Sequence, residues 1–320
     1  MNNQKTIHVN SPLAWILASR PKTLTGAASP VIVGGVLALI TTLQNGGECS
    51  IFNFVACLLF ALTMQIAANF INDYFDYQKG TDRNEDRLGP QRACAQKWIT
   101  PKAMKIGIAL TLIIACSFGL TILIHSSEFI ISHTYLLIIV GILCVIFAFA
   151  YTTHFSYLGL GDILVILFFG IIPVYFTFLV TSNSTTFHLS DKIGIATLMF
   201  GVAQGLVTDL LLMVNNYRDY NQDIISKKKT LVVRFGPRFG RISYLLIGVI
   251  ASVLAIWGKI IITSDITISS LIIILWLLLC HYPTYSKLRK LQGRELNKVL
   301  GTTARNIVLF AITLSIIILC

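Results

Sequence analysis

Charged side chains are scarce in this chain of 320 residues, and acidic ones are scarcer than basic ones. Asp, Glu, Lys and Arg together make up 12% of the sequence, whereas a typical soluble domain carries about 25%. Hydrophobic residues account for 55%. This balance excludes an ordinary soluble domain and indicates a chain that lies largely within a lipid bilayer.

The seven cysteines and six histidines lack the spacing of metal ligands or of a disulfide framework. No two cysteines have CxxC spacing, their number is odd, and most of them lie in apolar segments. We expect them to be small buried hydrophobic residues without a disulfide or metal-binding role. The first residues are polar and precede no short apolar core, so nothing there resembles a cleavable signal peptide.

Long apolar segments dominate the rest of the sequence, and about 20 apolar residues in a helix are enough to span a bilayer. Nine such segments occur, and residues 13–18 suggest a short interfacial helix before the first. We therefore predict an all-α polytopic membrane protein with nine transmembrane helices in a single bundle, one domain over residues 1–320. The predicted spans are about 23–43, 51–72, 104–124, 134–151, 161–181, 193–215, 242–262, 267–283 and 299–320.

Basic residues fall almost entirely on one side of this topology. If the N-terminus is cytoplasmic, the outer side holds only Lys192 and Lys259, and every other Lys and Arg is inside. This bias predicts an inner (plasma) membrane protein with a cytoplasmic N-terminus and cytoplasmic loops at 73–103 and 217–241. The net charge of +11 then requires no nucleic-acid partner, and it suits anionic lipid head groups and diphosphates.

One short pattern occurs twice, each time where an apolar segment meets a charged loop. The copies are Asn72–Tyr77 and Asn215–Tyr220, which are identical at four of six positions, and a further acid follows each, Asp82 or Asp223. Because the copies end the second and sixth spans, they emerge on the same side of the membrane and can converge on one site.

Spacing within each copy also brings polar side chains together. Asn72 and Asp76 are four residues apart, and so are Asn215, Asp219 and Asp223, so each set should share one helix face. Carboxylates and amides gathered beside a membrane suit a hard cation such as Mg²⁺ and, through the cation, a diphosphate.

Polar residues also occur inside the predicted spans, where they are costly unless they face protein or water. Gln65, Asn69, Asn72 and Asp76 recur at spacings of four, three and four. One interpretation is hydrogen bonding that only holds helices together. We favour a polar cavity that opens beside the charged loops. Asp209, deeper in the sixth span, is equally compatible with a functional role and with a structural hydrogen bond.

These motifs resemble those of the UbiA-type intramembrane prenyltransferases, and the resemblance runs from about residue 13 to the end of the chain. Within that family they are most similar to the branch that prenylates 1,4-dihydroxy-2-naphthoate in menaquinone synthesis. Lys97 and Lys227 stand where that family usually has glycine, and Asp209 is atypical of it. The similar segments are Arg20–Leu24, Asn72–Tyr77, Arg87–Arg92, Tyr157–Asp162, Asn215–Asp219 and Thr230–Gly236.

The resemblance implies how a polyprenyl diphosphate would be bound and activated. Mg²⁺ on carboxylates would neutralise the diphosphate, and basic side chains would add positive charge. The acceptor 1,4-dihydroxy-2-naphthoate would then attack the allylic cation, with loss of its carboxyl group as CO2. The implied metal ligands are Asp76, Asp82, Asp219 and Asp223; the implied catalytic residues are Asp76, Asp219 and Lys22; and the implied substrate-binding residues are Asn69, Asn72, Arg92, Asn215 and Arg234.

Two alternatives stay open at this point. A prenyltransferase of the same kind could act on another aromatic acceptor, such as 4-hydroxybenzoate or homogentisate. A secondary transporter is the alternative from a different class, but its polar residues would lie near the middle of the membrane on broken helices. Here the acids cluster at one face, which argues against transport.

Overall fold

The computed structural model describes residues 7–80, 87–155, 158–182, 190–263 and 267–320, and of residues 127–133 the backbone only. These ranges contain no β-strand. Nine helices within them are long and apolar enough to cross a membrane, as predicted. They are α2 (Pro21–Gln44), α3 (Ile51–Lys79), α4 (Pro101–His125), α5 (Thr134–Phe155), α6 (Gly161–Ser182), α7 (Lys192–Arg218), α9 (Leu231–Ile262), α10 (Thr267–Lys290) and α11 (Gly293–Leu319).

Two shorter helices lie outside the spans, α1 (Pro12–Ala18) and α8 (Tyr220–Ile225). The first confirms the short helix expected before the first span. Its start is capped by Ser11, whose side chain accepts a hydrogen bond from the backbone N–H of Ala14, and proline occupies its first turn.

Helices α2, α7 and α11 form the interior of the bundle, since more than half of the apolar span of each is buried. Phe200 of α7, Trp276 of α10 and Phe310 of α11 belong to one continuous hydrophobic core. By contrast, only 17% of the span of α4 and 6% of that of α5 is buried, and side chains such as Ile113 and Ile139 point outwards. This distribution suits a bilayer, where lipid tails solvate exposed apolar side chains.

Helices α6 and α7 touch backbone to backbone at glycines. A Cβ atom added to Gly170 would fall against the carbonyl oxygen of Gly201 and lie 2.5 Å from Cα of Gly205. A Cβ atom on Gly205 would lie 2.7 Å from the carbonyl oxygen of Ile166. Small residues let membrane helices approach this closely, and here they fix the register of two antiparallel helices.

Two of the helices contain π-helical turns, which are often found at functional sites. Helix α5 ends in such a turn at Tyr151–Phe155, and α6 contains another at Leu167–Ile171. Within the second turn Phe169 leaves the helical range, with φ −118° and ψ 15°. These turns change the direction of side chains on two neighbouring helices.

Helix boundaries around the second motif differ from the prediction. Asn215, Asp219 and Asp223 do not lie on one continuous helix, because α7 ends at Arg218 and α8 begins at Tyr220. Asp219, at the break, has φ −93° and ψ 11°. Backbone hydrogen bonds from Asp219 N to Asn215 O, 2.9 Å, and from Asp223 N to Asp219 O, 2.8 Å, still bridge the break.

The predicted loops are also shorter than expected. Helix α3 continues to Lys79, and α8 occupies part of the segment 217–241. Helix α9 begins already at Leu231, although it is interrupted at Gly236, where φ is 85° and ψ is 166°. The next residue, Pro237, has no N–H to donate and therefore helps to end the first short segment.

Lys97 and Lys227 both adopt the left-handed backbone conformation, with φ of 58° and 57°. Glycine enters this region freely, whereas other residues lose about 1 kcal/mol there. These are the two positions at which glycine is usual in the similar family. The two turns thus keep a left-handed conformation although lysine has replaced glycine.

Candidate functional site

A cavity of about 1380 Å³ lies among helices α2 to α7. Both Cys57 and Asp76 border it, and the 19 residues between them along α3 correspond to roughly 28 Å of helix. Around Asp76 the walls are polar, whereas towards Cys57 they are apolar, with Phe60, Leu120 and Phe176. One elongated cavity therefore joins a charged end to an apolar end.

The polar stripe of α3 faces this cavity and also bonds to α1 and α2. The amide of Asn69 donates to the backbone oxygen of Ser19 at 2.8 Å and to Oγ1 of Thr23 at 2.9 Å. The amide of Gln65 donates to Thr23 Oγ1 and to Asn69 Oδ1, both at 3.3 Å. Gln65, Asn69 and Thr23 all border the cavity, so inter-helix bonding and a polar cavity wall, weighed above as alternatives, occur together.

Arg20 connects the start of α2 to the first motif. It has a left-handed backbone, with φ 49°, and its guanidinium donates to Oδ1 of Asn72 at 3.1 Å. Burial lowers the pKa of Arg20 to about 10, although Asp73 and Asp76 oppose the shift. The side chain therefore stays charged at neutral pH. A non-glycine residue in this conformation often marks a functional position.

The two acids of the first motif have different partners. Asp76 Oδ2 lies 3.2 Å from Nη2 of Arg92, and both side chains border the cavity. Asp73 is buried on another face of α3, where it accepts hydrogen bonds from the backbone N–H groups of Ala93, at 2.8 Å, and Cys94, at 2.9 Å. Asp73 therefore holds the segment that presents Arg92 to Asp76.

The second motif is tied to the last helix through Arg218. Its guanidinium makes a two-point contact with Asp219, at 2.8 Å and 2.6 Å, and donates to Oδ1 of Asn297 at 2.8 Å. Asn297 in turn donates to the backbone oxygen of Leu88, 2.8 Å away. A chain of hydrogen bonds thus joins the second motif, α11 and the loop after the first motif.

Asp223, on α8, completes the acidic group of the described residues at the charged end. Lys228 Nζ lies 3.7 Å from its Oδ1. Burial raises the pKa of Asp223 to about 6, while Lys228 acts in the opposite direction. Asp76, Asp219 and Asp223 thus each contact a basic side chain, respectively Arg92, Arg218 and Lys228.

The structure brings most of the residues proposed from the sequence to this cavity. Lys22 is exposed at the cavity rim, whereas Arg234 does not border the cavity, and its guanidinium donates to the Leu158 oxygen at 2.9 Å. Asp82 and Tyr157 lie outside the described residues. The proposed residues that border the cavity are Lys22, Asn69, Asn72, Asp76, Arg92, Asn215, Asp219 and Asp223.

Four residues that the sequence-based list of site residues omits also contribute. Arg20 and Arg218 lie inside the quoted motifs, so their positions were a signal, but nothing in the pattern indicated their partners. Asp73 also lies in its motif, on the opposite side of the helix from Asp76. Asn297 is far away in sequence and no motif marks it.

The oxygen-rich donor set at the charged end fits a hard divalent cation. Mg²⁺ usually takes only one or two protein carboxylates and completes its shell with phosphate oxygens and water. In agreement with such a sparse set, the described ranges contain no group of three or more His, Cys, Asp or Glu side chains close enough to hold a metal ion. Asp76, Asp219 and Asp223 are the described carboxylates that would serve.

A bundle of nine membrane helices around a cavity with a charged and an apolar end defines an intramembrane protein built for a charged lipid. The sequence profile of the UbiA prenyltransferase family matches residues 28–300. The chain belongs to this family of membrane-embedded prenyltransferases. Membership argues against the transporter alternative.

Two curated relatives are bacterial. A 1,4-dihydroxy-2-naphthoate octaprenyltransferase of Haemophilus influenzae is 30% identical over 253 residues, covering 77% of each chain. A protein of the same name from Escherichia coli is 33% identical over 227 residues, which covers 70% of this chain and 68% of the relative.

Solved structures share the fold. A UbiA homolog from Archaeoglobus fulgidus, bound to GPP and Mg²⁺, superposes with a TM-score of 0.61 at 16% identity and covers 96% of this chain and 100% of that one. The apo structure of a UbiA homolog from Aeropyrum pernix also gives a TM-score of 0.61, at 17% identity, and covers 90% and 96%. The predicted all-α membrane bundle is therefore confirmed.

Proposed function

We propose that this prenyltransferase transfers a polyprenyl group from polyprenyl diphosphate to 1,4-dihydroxy-2-naphthoate. The reaction releases CO2 and diphosphate and gives demethylmenaquinol, a step of menaquinone biosynthesis. The observation that carries the proposal is the cavity whose charged end continues into an apolar end. Its shape suits a diphosphate joined to a long isoprenoid tail, and the relatives named as naphthoate octaprenyltransferases support the acceptor.

The residues at the charged end would bind and orient the diphosphate. Mg²⁺, when bound, would neutralise the diphosphate and so favour its departure. Asp76 and Asp219 would hold Mg²⁺, and we propose Asp223 and Asp82 as further ligands. Arg218 would keep Asp219 oriented, since Arg218 is itself fixed by a hydrogen bond to Asn297.

Basic side chains would contact the phosphate oxygens. Arg92 and Lys228 lie beside the carboxylates of Asp76 and Asp223 at the cavity wall, within reach of any anion held between them. Lys22, exposed at the rim, would add a further positive charge. Asn69, Asn72 and Asn215 would contact the substrates or orient the carboxylates, and we assign Arg234 only an outer electrostatic contribution. Charged groups placed in this way stabilise the charge that develops on the leaving group.

We further propose that the protein lies in the inner (plasma) membrane, with its N-terminus and the charged end of the cavity on the cytoplasmic side. The basis is the concentration of Lys and Arg on one side of the nine spans. A water-soluble anionic acceptor and a diphosphate product would then exchange with the cytoplasm.

The direct test uses purified protein, a labelled long-chain polyprenyl diphosphate and Mg²⁺. With 1,4-dihydroxy-2-naphthoate we expect CO2 and diphosphate in equal amounts, together with demethylmenaquinol. With 4-hydroxybenzoate or homogentisate we expect far slower turnover, and a 4-hydroxybenzoate product would retain its carboxyl group. Chelation of Mg²⁺ should stop the reaction. Efficient prenylation of 4-hydroxybenzoate without turnover of the naphthoate would overturn the proposed acceptor.

A further inference from the structure

Two buried carboxyl groups face each other where α6 packs against α7. The register of these antiparallel helices is set where Gly205 lies against Ile166. Asp162 is four residues before Ile166, and Asp209 is four residues after Gly205. Because residues four apart share a helix face, both acids lie one turn beyond the glycine contact, on opposite sides of the same interface.

Hydrogen bonding does not account for these acids. Asp162 is 7% exposed and Asp209 only 2%. Among the described residues, Oδ1 of each side chain has no hydrogen-bond partner. A buried oxygen without a partner is unfavourable and calls for an explanation. Two adjacent buried carboxylates cannot both carry a charge without a large penalty, so the pair should share a proton.

The pair also reaches the cavity, from one side only. Asp162 borders the cavity, whereas Asp209 lies behind it and does not. Tyr151, in the π-helical turn of α5, borders the cavity next to Asp162, since a Cβ atom on Gly161 would lie 3.6 Å from the Tyr151 hydroxyl oxygen. The cavity wall here therefore presents one carboxyl group and one phenol, with a second carboxyl group behind them.

Apolar rings adjoin these polar groups. Phe168 and Phe169 border the same cavity from the irregular turn of α6, between one and two helical turns beyond Asp162. Aromatic side chains offer flat apolar surfaces to a planar ring. A planar ring with a polar substituent would fit between such surfaces and the Asp162–Tyr151 pair.

We propose that Asp162 binds a hydroxyl group of the aromatic acceptor, that Tyr151 adds a second polar contact, and that Asp209 is a positioning residue behind Asp162. This inference rests on the proposed function. The acceptor hydroxyl donates to Oδ1 of Asp162, and no covalent bond is made or broken there. The shared proton limits the pair to one negative charge, which reduces repulsion of an acceptor that itself carries a carboxylate.

The test measures equilibrium binding of 1,4-dihydroxy-2-naphthoate to the purified protein, and of its two analogues that lack one hydroxyl, 1-hydroxy- and 4-hydroxy-2-naphthoate. Asp162→Leu removes the hydrogen-bonding group, and Asp162→Asn keeps an oxygen but not the charge. We expect Asp162→Leu to weaken binding of the dihydroxy compound about tenfold or more. The preference over one of the analogues should disappear with it. Asp162→Asn should fall between the leucine variant and the natural protein.

Further variants separate this role from a structural one. Asp209→Asn should weaken binding less than Asp162→Leu, and the KM for polyprenyl diphosphate should stay within about twofold in all of these variants. Asp191→Asn, a matched control at an exposed carboxyl group at the other end of α7, should change nothing. If the natural protein does not bind the dihydroxynaphthoate, the proposed function fails. If it binds, and Asp162→Leu retains the affinity and the hydroxyl preference, only this inference fails.

Discussion

Asp73 and Asp76 belong to the same short motif but have different surroundings. Asp76 meets Arg92 at the wall of the cavity, whereas Asp73 accepts two backbone hydrogen bonds from the loop that carries Arg92. One acid is thus available to a ligand, and the other fixes the geometry of its neighbour. A sequence motif alone does not separate these two roles, because both acids have the same residue type and adjoin the same loop.

At this scale we predict that Asp76→Asn and Asp219→Asn each lower the prenyl-transfer rate on the order of a thousandfold. The reason is that both side chains would hold the ion that neutralises the leaving group. Thermal stability should change little, since both carboxyl groups border a cavity and contribute little packing. Turnover and melting in detergent check the two expectations together.

Glu295→Gln is the matched control for these variants, since Glu295 is an exposed acid that contacts only Lys298 among the described residues at 3.7 Å. Its rate should match that of the natural protein. Near-normal turnover of Asp76→Asn or Asp219→Asn at saturating Mg²⁺ would contradict the assignment of these residues to the metal.

Among the elements, the contact between α6 and α7 leaves the least room for change. Gly170 and Gly205 bring the two backbones together, and a methyl group on Gly170 has no space. We therefore expect Gly170→Ala to destabilise the protein by ~1–3 kcal/mol, the usual range for overpacking. A lower melting temperature in detergent would show it.

Gly141→Ala on α5 provides the comparison. A Cβ atom there would meet nothing within 4 Å among the described residues. Alanine should therefore leave stability unchanged or raise it slightly, since it also favours the helix by about 1 kcal/mol. Equal melting temperatures of Gly170→Ala and Gly141→Ala would show that the glycine contact does not limit the packing of α6 on α7.

The elements themselves could be predicted because hydrophobic length alone determines where a helix crosses a bilayer. The ends of the helices could not. Helix α9 begins at Leu231 rather than near 242, because a charged amphipathic turn before Gly236 does not look like a membrane span. The break at Asp219 was likewise hidden, since a spacing of four residues is the same on one helix as across two.

For the whole molecule, the predicted orientation can be tested with cysteines introduced in place of exposed residues, after replacement of the seven natural ones. Gln96→Cys and Lys229→Cys lie in the two charged loops, and Glu48→Cys lies between α2 and α3 at the other end of the bundle. A membrane-impermeant thiol reagent applied from outside should label only Glu48→Cys in intact cells. Outside labelling of either charged loop would reject the cytoplasmic site.

Convergence of the two motifs on one cavity could be predicted at this scale, because spans separated by an even number emerge on the same side. The link between them could not, because Arg218 and Leu88 meet through Asn297, a residue outside both motifs. The Asp162–Asp209 pair also needed coordinates. Its two members are far apart in sequence, and only the glycine contact shows that they face each other.

The position of Asn297 has a consequence for the order of events while the chain is being made. Both motifs leave the ribosome and can enter the membrane before α11 has been translated, because α11 is the last of the described helices. Until then Arg218 lacks the amide that holds it, and Leu88 lacks the donor that holds its loop. We therefore expect a partly synthesised chain to have both acidic motifs in place but to acquire the site only when its final helix inserts.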